Sequence, residues 1–127
     1  MKNYKELSVW DKAVGLAVAA YRTTSHFPDS EKFGLTSQMR RAATSVPANI
    51  AEGWDRGTTK EYVQFLLIAR GSLMETETHL IVSHKLGCVS QEDLQLMQAR
   101  IEEIGKMLNG LIQSLRGHRR AEPGSVG

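Results

Sequence analysis

The sequence predicts an all-α fold, an antiparallel up-down four-helix bundle, on three observations. Apolar residues recur at i, i+3 and i+4 in four separate segments. No segment alternates with the period of two that marks a half-buried strand. Capping and turn residues divide the four segments from one another. At 127 residues, 41% of them hydrophobic and 24% charged, the chain is long enough to bury one core of its own.

Ser8 and Asp11 have capping-box spacing, and Trp10, Ala13, Val14, Ala17, Tyr21 and Thr24 then share one face. A first helix over about 9–25 follows, ending before Phe27-Pro28, because a residue ahead of proline is pushed out of helical geometry. The stretch "FPDSEKFGL" reads as a turn-rich connection. In the second segment Leu35, Met39, Ala42, Val46, Ile50 and Gly53 form the apolar stripe, which keeps its phase straight through Pro47. One kinked helix over about 36–55 is therefore expected, although an interior proline costs about 3 kcal/mol. The Ala43 carbonyl loses its partner there, and Thr44 or Ser45 is placed to compensate for it or its neighbours.

Thr58 and Glu61 make a second capping box, opening the longest pattern, about 59–86, with Gly87 at a C′-like position. Ser90 and Asp93 make a third, with Val89 and Leu94 spaced as a hydrophobic staple. The fourth helix carries Leu94, Met97, Ile101, Ile104, Leu108, Leu111 and Leu115 on one stripe and is expected to end near Gly117. The remaining "GHRRAEPGSVG" has no apolar period. The expected organisation is a bundle over 1–115 and a basic, disordered tail over 116–127.

On the third helix Tyr62, Phe65, Leu66, Ala69, Leu73, Thr76 and Leu80 form the core stripe. A second apolar stripe, Leu67, Gly71, Met74, Thr78, Ile81 and Val82, lies roughly opposite. It is exposed, covered by the tail, or buried against another subunit. The last reading makes the protein a homo-oligomer, since exposing each large side chain forgoes about 1.5–3 kcal/mol. The alternative is a thicker monomeric bundle with this helix at its centre.

Charge is local. Of the 16 Lys and Arg, Arg116, Arg119 and Arg120 lie in the tail, as does Glu122 of the 14 acids, so residues 1–115 are neutral. On the second helix Arg41, Ser45, Asn49, Glu52 and Arg56 fall within about 80° of arc. They form either a hydrogen-bonded polar seam that fixes register or subunit contacts, or part of a recognition surface. In the second case Arg40, Arg41, Arg56, Lys60 and Arg70, helped by Arg116, Arg119 and Arg120, would meet phosphates, and Asn49 would supply specificity.

Catalytic patterns are missing from the sequence. His26, His79, His84 and His118 form no H-E-x-x-H. Glu75 and His79 are spaced i, i+4, without the second motif that a bundle di-metal site needs. The single Cys88 cannot make a cysteine-based zinc site or an internal disulfide, which fits a reducing cytoplasm. No phosphate-binding glycine loop or nucleophile elbow is present, so a non-enzyme without metal or cofactor is expected. The first ten residues lack the apolar run of a secretory signal, and no stretch approaches the roughly 20 apolar residues of a membrane span.

"LTSQMRRAATSVPANIAEGWDRGTTKEYVQFLLIARGSLMETETHL", residues 35–80, closely resembles the signature of the bacterial four-helix-bundle proteins first found encoded in 23S rRNA intervening sequences. Flanking matches, "LSVWDKAVGLAVAAYRTTSHFP" and "KLGCVS", extend the resemblance over about 5–115. The block Q-x-R-R-A-A-x-S-[IV]-x-x-N-I-A-E-G, Gln38 to Gly53, is long and specific. That family also looks related to the accessory variability proteins of diversity-generating retroelements, which are strongly basic where residues 1–115 here are neutral. The resemblance implies a homopentameric barrel, a shape-setting role for Pro47, and association with RNA, DNA or a nucleic-acid-bound protein rather than catalysis. The alternative is a structural or protein-interaction scaffold that binds no nucleic acid.

Overall fold

The computed structural model describes residues 2–121, and the side chains of residues 2–117. Four helices are present, α1 Ser8–Thr24, α2 Ser37–Asp55, α3 Thr59–Lys85 and α4 Gln91–Ala121, with no strand among the described residues. α2 packs against α1 and α3, α3 against α4, and α4 closes on α1. Leu16, Met39, Ile50, Leu66, Leu73, Leu80, Ile104 and Leu108 fill the centre and are essentially solvent-free.

The caps explain where the helices begin and end. The Thr58 hydroxyl accepts the Glu61 N–H at 3.2 Å, and the Ser90 hydroxyl accepts the Asp93 N–H at 3.1 Å. α3 closes with Gly87 at φ 84°, its N–H on the His84 carbonyl and the Cys88 N–H on the Ser83 carbonyl, both at 2.9 Å. This is the paired bonding of a left-handed helix stop, which glycine adopts without a Cβ penalty.

Ser8 is not the cap expected of it. α1 begins one residue earlier in register, and the Leu7 carbonyl accepts the Asp11 N–H at 3.1 Å. A 3₁₀ turn, Tyr4–Glu6, feeds directly into the helix. Leu7 is buried and Tyr4 packs edge-on against Trp10, centroids 5.3 Å apart, so apolar anchoring replaces a side-chain cap. The buried face of α1 is also rotated from the expected stripe: Leu16 and Ala20 are fully buried, while Tyr21 is 47% exposed at the edge.

α2 runs unbroken through Pro47, which is buried. Side chains bond carbonyls on the turns before it: the Thr44 hydroxyl donates to the Arg40 carbonyl at 2.8 Å, and Asn49 Nδ2 donates to the Ser45 carbonyl at 2.8 Å, neither reaching the Ala43 carbonyl that the proline leaves open. At the far end of α2, a Cβ on Gly53 would fall 2.7 Å from Phe65 Cβ and 3.3 Å from the Tyr62 carbonyl. Only glycine lets α2 and α3 come this close. α4 continues to Ala121, past both the Gly117 end and the domain boundary at 115 that the sequence suggested. One glycine costs a formed helix only about 1 kcal/mol, whereas propagation keeps adding a bond per residue. Residues 122–127 of the expected tail lie outside the described residues.

Candidate nucleic-acid interface

The candidate arginines and lysine do not form a single patch. Arg40 and Arg41 stand in the first turns of α2. Arg56 and Lys60 flank the α2–α3 turn, about 22 Å further along the bundle at 1.5 Å per helical residue. Arg70 lies between the two ends and gives a hydrogen bond to Asn109 Oδ1 on α4 at 2.9 Å. Arg116 is exposed on α4, while the side chains of Arg119 and Arg120 lie outside the described residues.

Arg40, Arg41, Arg56 and Arg70 each have a distinct local partner. Arg40 lies over the Tyr21 ring, 4.5 Å from its centroid, and gives Nε–H to the Thr24 hydroxyl at 2.8 Å, tying α2 to the end of α1. Arg41 does not meet Ser45, as its i, i+4 spacing allowed. It turns one turn the other way and donates to Gln38 Oε1 at 3.1 Å. Arg56 bonds Glu52 Oε1 at 3.1 Å and covers the Phe65 ring at 4.9 Å. Lys60 is exposed, with no ion-pair partner among the described residues.

The proposed polar seam therefore exists only in its middle. The Ser45 hydroxyl lies 2.8 Å from the Ser72 hydroxyl of α3 and accepts from Asn49 Nδ2 at 2.9 Å. Thr76 extends the polar strip along α3, its hydroxyl on the Ser72 carbonyl at 2.8 Å. These groups lock the register of α2 on α3, and Glu52 with Arg56 forms a separate exposed pair.

At the Arg40 end a groove of about 380 Å³ opens between α1 and the start of α2. Its lining comprises Tyr21, Lys32, Phe33, Thr36, Ser37, Arg40, Arg41 and Thr44: three cations, two aromatics, three hydroxyls and no carboxylate. The Lys32 ammonium sits 5.7 Å from the Phe33 ring centroid, and Phe33 is 89% exposed. Sequence reasoning passed over Lys32 and Phe33 because they fall in a connection without periodicity. The available signal was an aromatic residue, beside a lysine, that no apolar stripe could claim.

The described residues leave most of the second stripe of α3 open. Gly71, Met74, Thr78 and Val82 are exposed, Leu67 and Ile81 are half-buried, and Ile68 and Leu86 extend the apolar surface. The four helices form a closed ring of neighbours rather than a thicker bundle around α3, so this face looks outward.

Titratable chemistry is sparse. Burial pushes the Tyr62 hydroxyl above its ordinary 10.0, and that hydroxyl has no hydrogen-bond partner. His79 Nε2 is shielded, has no hydrogen-bond partner, and stands 3.9 Å from Glu75 Oε1 one turn away on α3. Among the described residues no three His, Cys, Asp or Glu side chains gather where a metal ion could be held. No described helix is long and apolar enough to cross a membrane.

The model of the 23S rRNA-intervening sequence proteins matches residues 5–110. The chain belongs to that family. A solved protein of unknown function from the S23 ribosomal protein family of Bacteroides thetaiotaomicron is similar, with TM-score 0.74 and 26% identity over 82% of this chain and 97% of that one. No curated protein matches the sequence.

Proposed function

We propose that this member of the 23S rRNA-intervening sequence family is a non-enzymatic, cytoplasmic accessory protein that assembles with itself and associates with nucleic acid or a ribonucleoprotein. The observation that carries this reading is the gathering of Lys32, Arg40 and Arg41 in one groove whose lining holds no carboxylate. Fixed cations without internal counter-charges are the chemistry that phosphate neutralisation requires. The outward stripe of α3, centred on Gly71, Met74 and Val82, supports the oligomer. The resemblance makes a pentamer the natural number, and a ring would repeat the groove around its circumference, adding avidity.

The test is binding of labelled structured RNA and duplex DNA by the full chain, titrated from low salt to about 150 mM. Counterion release requires affinity to fall by roughly 0.9 logarithmic units per logarithmic unit of salt for each phosphate neutralised on duplex DNA. Absence of binding to either probe at low salt overturns the proposal.

One observation favours the protein-scaffold alternative. Between α1 and α4 a groove of about 660 Å³ is lined by Val18, Leu96 and Met97 together with two cations, Arg22 and Arg100, and one carboxylate, Asp93, a net positive lining. An acidic, amphipathic partner segment fits that chemistry.

A further inference from the structure

We infer that the groove at the α1–α2 junction takes unpaired nucleotides, with a base stacked on Phe33 and neighbouring phosphates met by Lys32, Arg40 and Arg41; this rests on the nucleic-acid reading above.

Charge alone suits any polyanion, and the aromatic side chains narrow the choice. Phe33 is the most exposed of the large hydrophobic residues, at 89%, and leaving a phenyl ring in water forgoes its burial energy. Its turn is firmly built. Phe27 and Thr36 are buried on either side, and Glu31 folds back to accept the Leu35 N–H at 3.4 Å. That bond also turns the Glu31 carboxylate into the backbone, and neither it nor Asp29 lines the groove. The ring is thus held out on an ordered turn rather than on a loose loop.

A second aromatic, Tyr21, lines the same groove, already stacked beneath the Arg40 guanidinium at 4.5 Å. Exposed rings alternating with cations are how proteins hold single strands: each base offers a π-face and the backbone follows the cations. Within a duplex those π-faces are closed by stacking, and only base edges and phosphates can be reached. Phe33 therefore contributes nothing to duplex binding and a full contact to an unpaired base. The volume, about 380 Å³, lies at the small end of ligand sites, which suits one or two nucleotides per chain.

The experiment compares a labelled 12-nucleotide single-stranded RNA with a labelled RNA duplex of the same length. Each is titrated into the full chain as wild type, Phe33→Ala, Phe33→Leu and Phe33→Trp. Because the ring is exposed, these variants keep the fold. The expected result is a fall of about tenfold in single-strand affinity for Ala and Leu, recovery in Trp, and duplex affinity unchanged within twofold. Single-strand affinity indifferent to Phe33, with binding of both probes intact, overturns this inference and leaves the nucleic-acid reading standing. Failure of the wild type to bind either probe at low salt overturns both. A fall in light-scattering mass for Phe33→Ala also overturns it, since Phe33 would then be a contact between copies.

Discussion

The Ser45 and Ser72 hydroxyls meet at 2.8 Å across the α2–α3 interface, the one side-chain hydrogen bond joining these two helices among the described residues. Asn49 Nδ2 also donates to the Ser45 oxygen, so the two serines belong to a small hydrogen-bonded network. A polar contact in an otherwise apolar interface specifies register, because sliding either helix leaves its groups unsatisfied. Ser72→Ala should cost about 1–2 kcal/mol in urea unfolding. The double variant Ser45→Ala/Ser72→Ala should cost less than the sum of the two single changes, because the partners are removed together.

Gly53 gives a prediction whose sign is diagnostic. Glycine to alanine inside an exposed helix ordinarily stabilises by about 0.5–1 kcal/mol. At Gly53 the new methyl would meet Phe65 and Tyr62, so Gly53→Ala should instead destabilise by about 1–3 kcal/mol. Gly110, with nothing within 4 Å of an added Cβ, serves as the control and should show the ordinary gain.

Assembly through α3 is tested at Met74 and Val82, which are 46% and 41% exposed. Wild-type protein should scatter light as a multiple of 14.1 kDa, and Met74→Glu/Val82→Glu as the single chain. Helix content by circular dichroism should stay unchanged, since neither side chain belongs to the core of one chain.

Tyr62 sets an alkaline limit. Burial raises its pKa above 10.0 in the folded chain, while the unfolded chain titrates near that value. Above pH 10 the unfolded state has released a proton that the folded state retains, so stability is lost as pH rises through 10. Tyr62→Phe should flatten that alkaline slope. At pH 7 it should change stability by less than about 1 kcal/mol, because the hydroxyl has no partner to lose.

Much of the fold was legible in the sequence because its signals are local. Thr58, Ser90 and Gly87 act where their capping chemistry places them, and the stripe from Met39 to Ile50 foretold a helix continuous through Pro47. Ser8 misled because Leu7 and Tyr4 anchor the chain by burial, which no capping pattern reveals. Arg41 shows a different limit: it donates to Gln38 on its own helix while Ser45 pairs across the interface with Ser72, so two residues of one sequence arc take unrelated partners. The site itself was half legible. Arg40 and Arg41 stand in a helical pattern, while Lys32 and Phe33 reach them only through the tertiary folding of a connection.

The measurement that bears most directly on the nucleic-acid account is the salt dependence of RNA binding by the wild type and by Lys32→Gln/Arg41→Gln. Both side chains are exposed, so the variant keeps the fold. The account predicts wild-type binding that weakens steeply with salt, and a slope reduced by up to about 2 in the variant as two phosphate contacts disappear. Identical affinity and slope for the two proteins would contradict it.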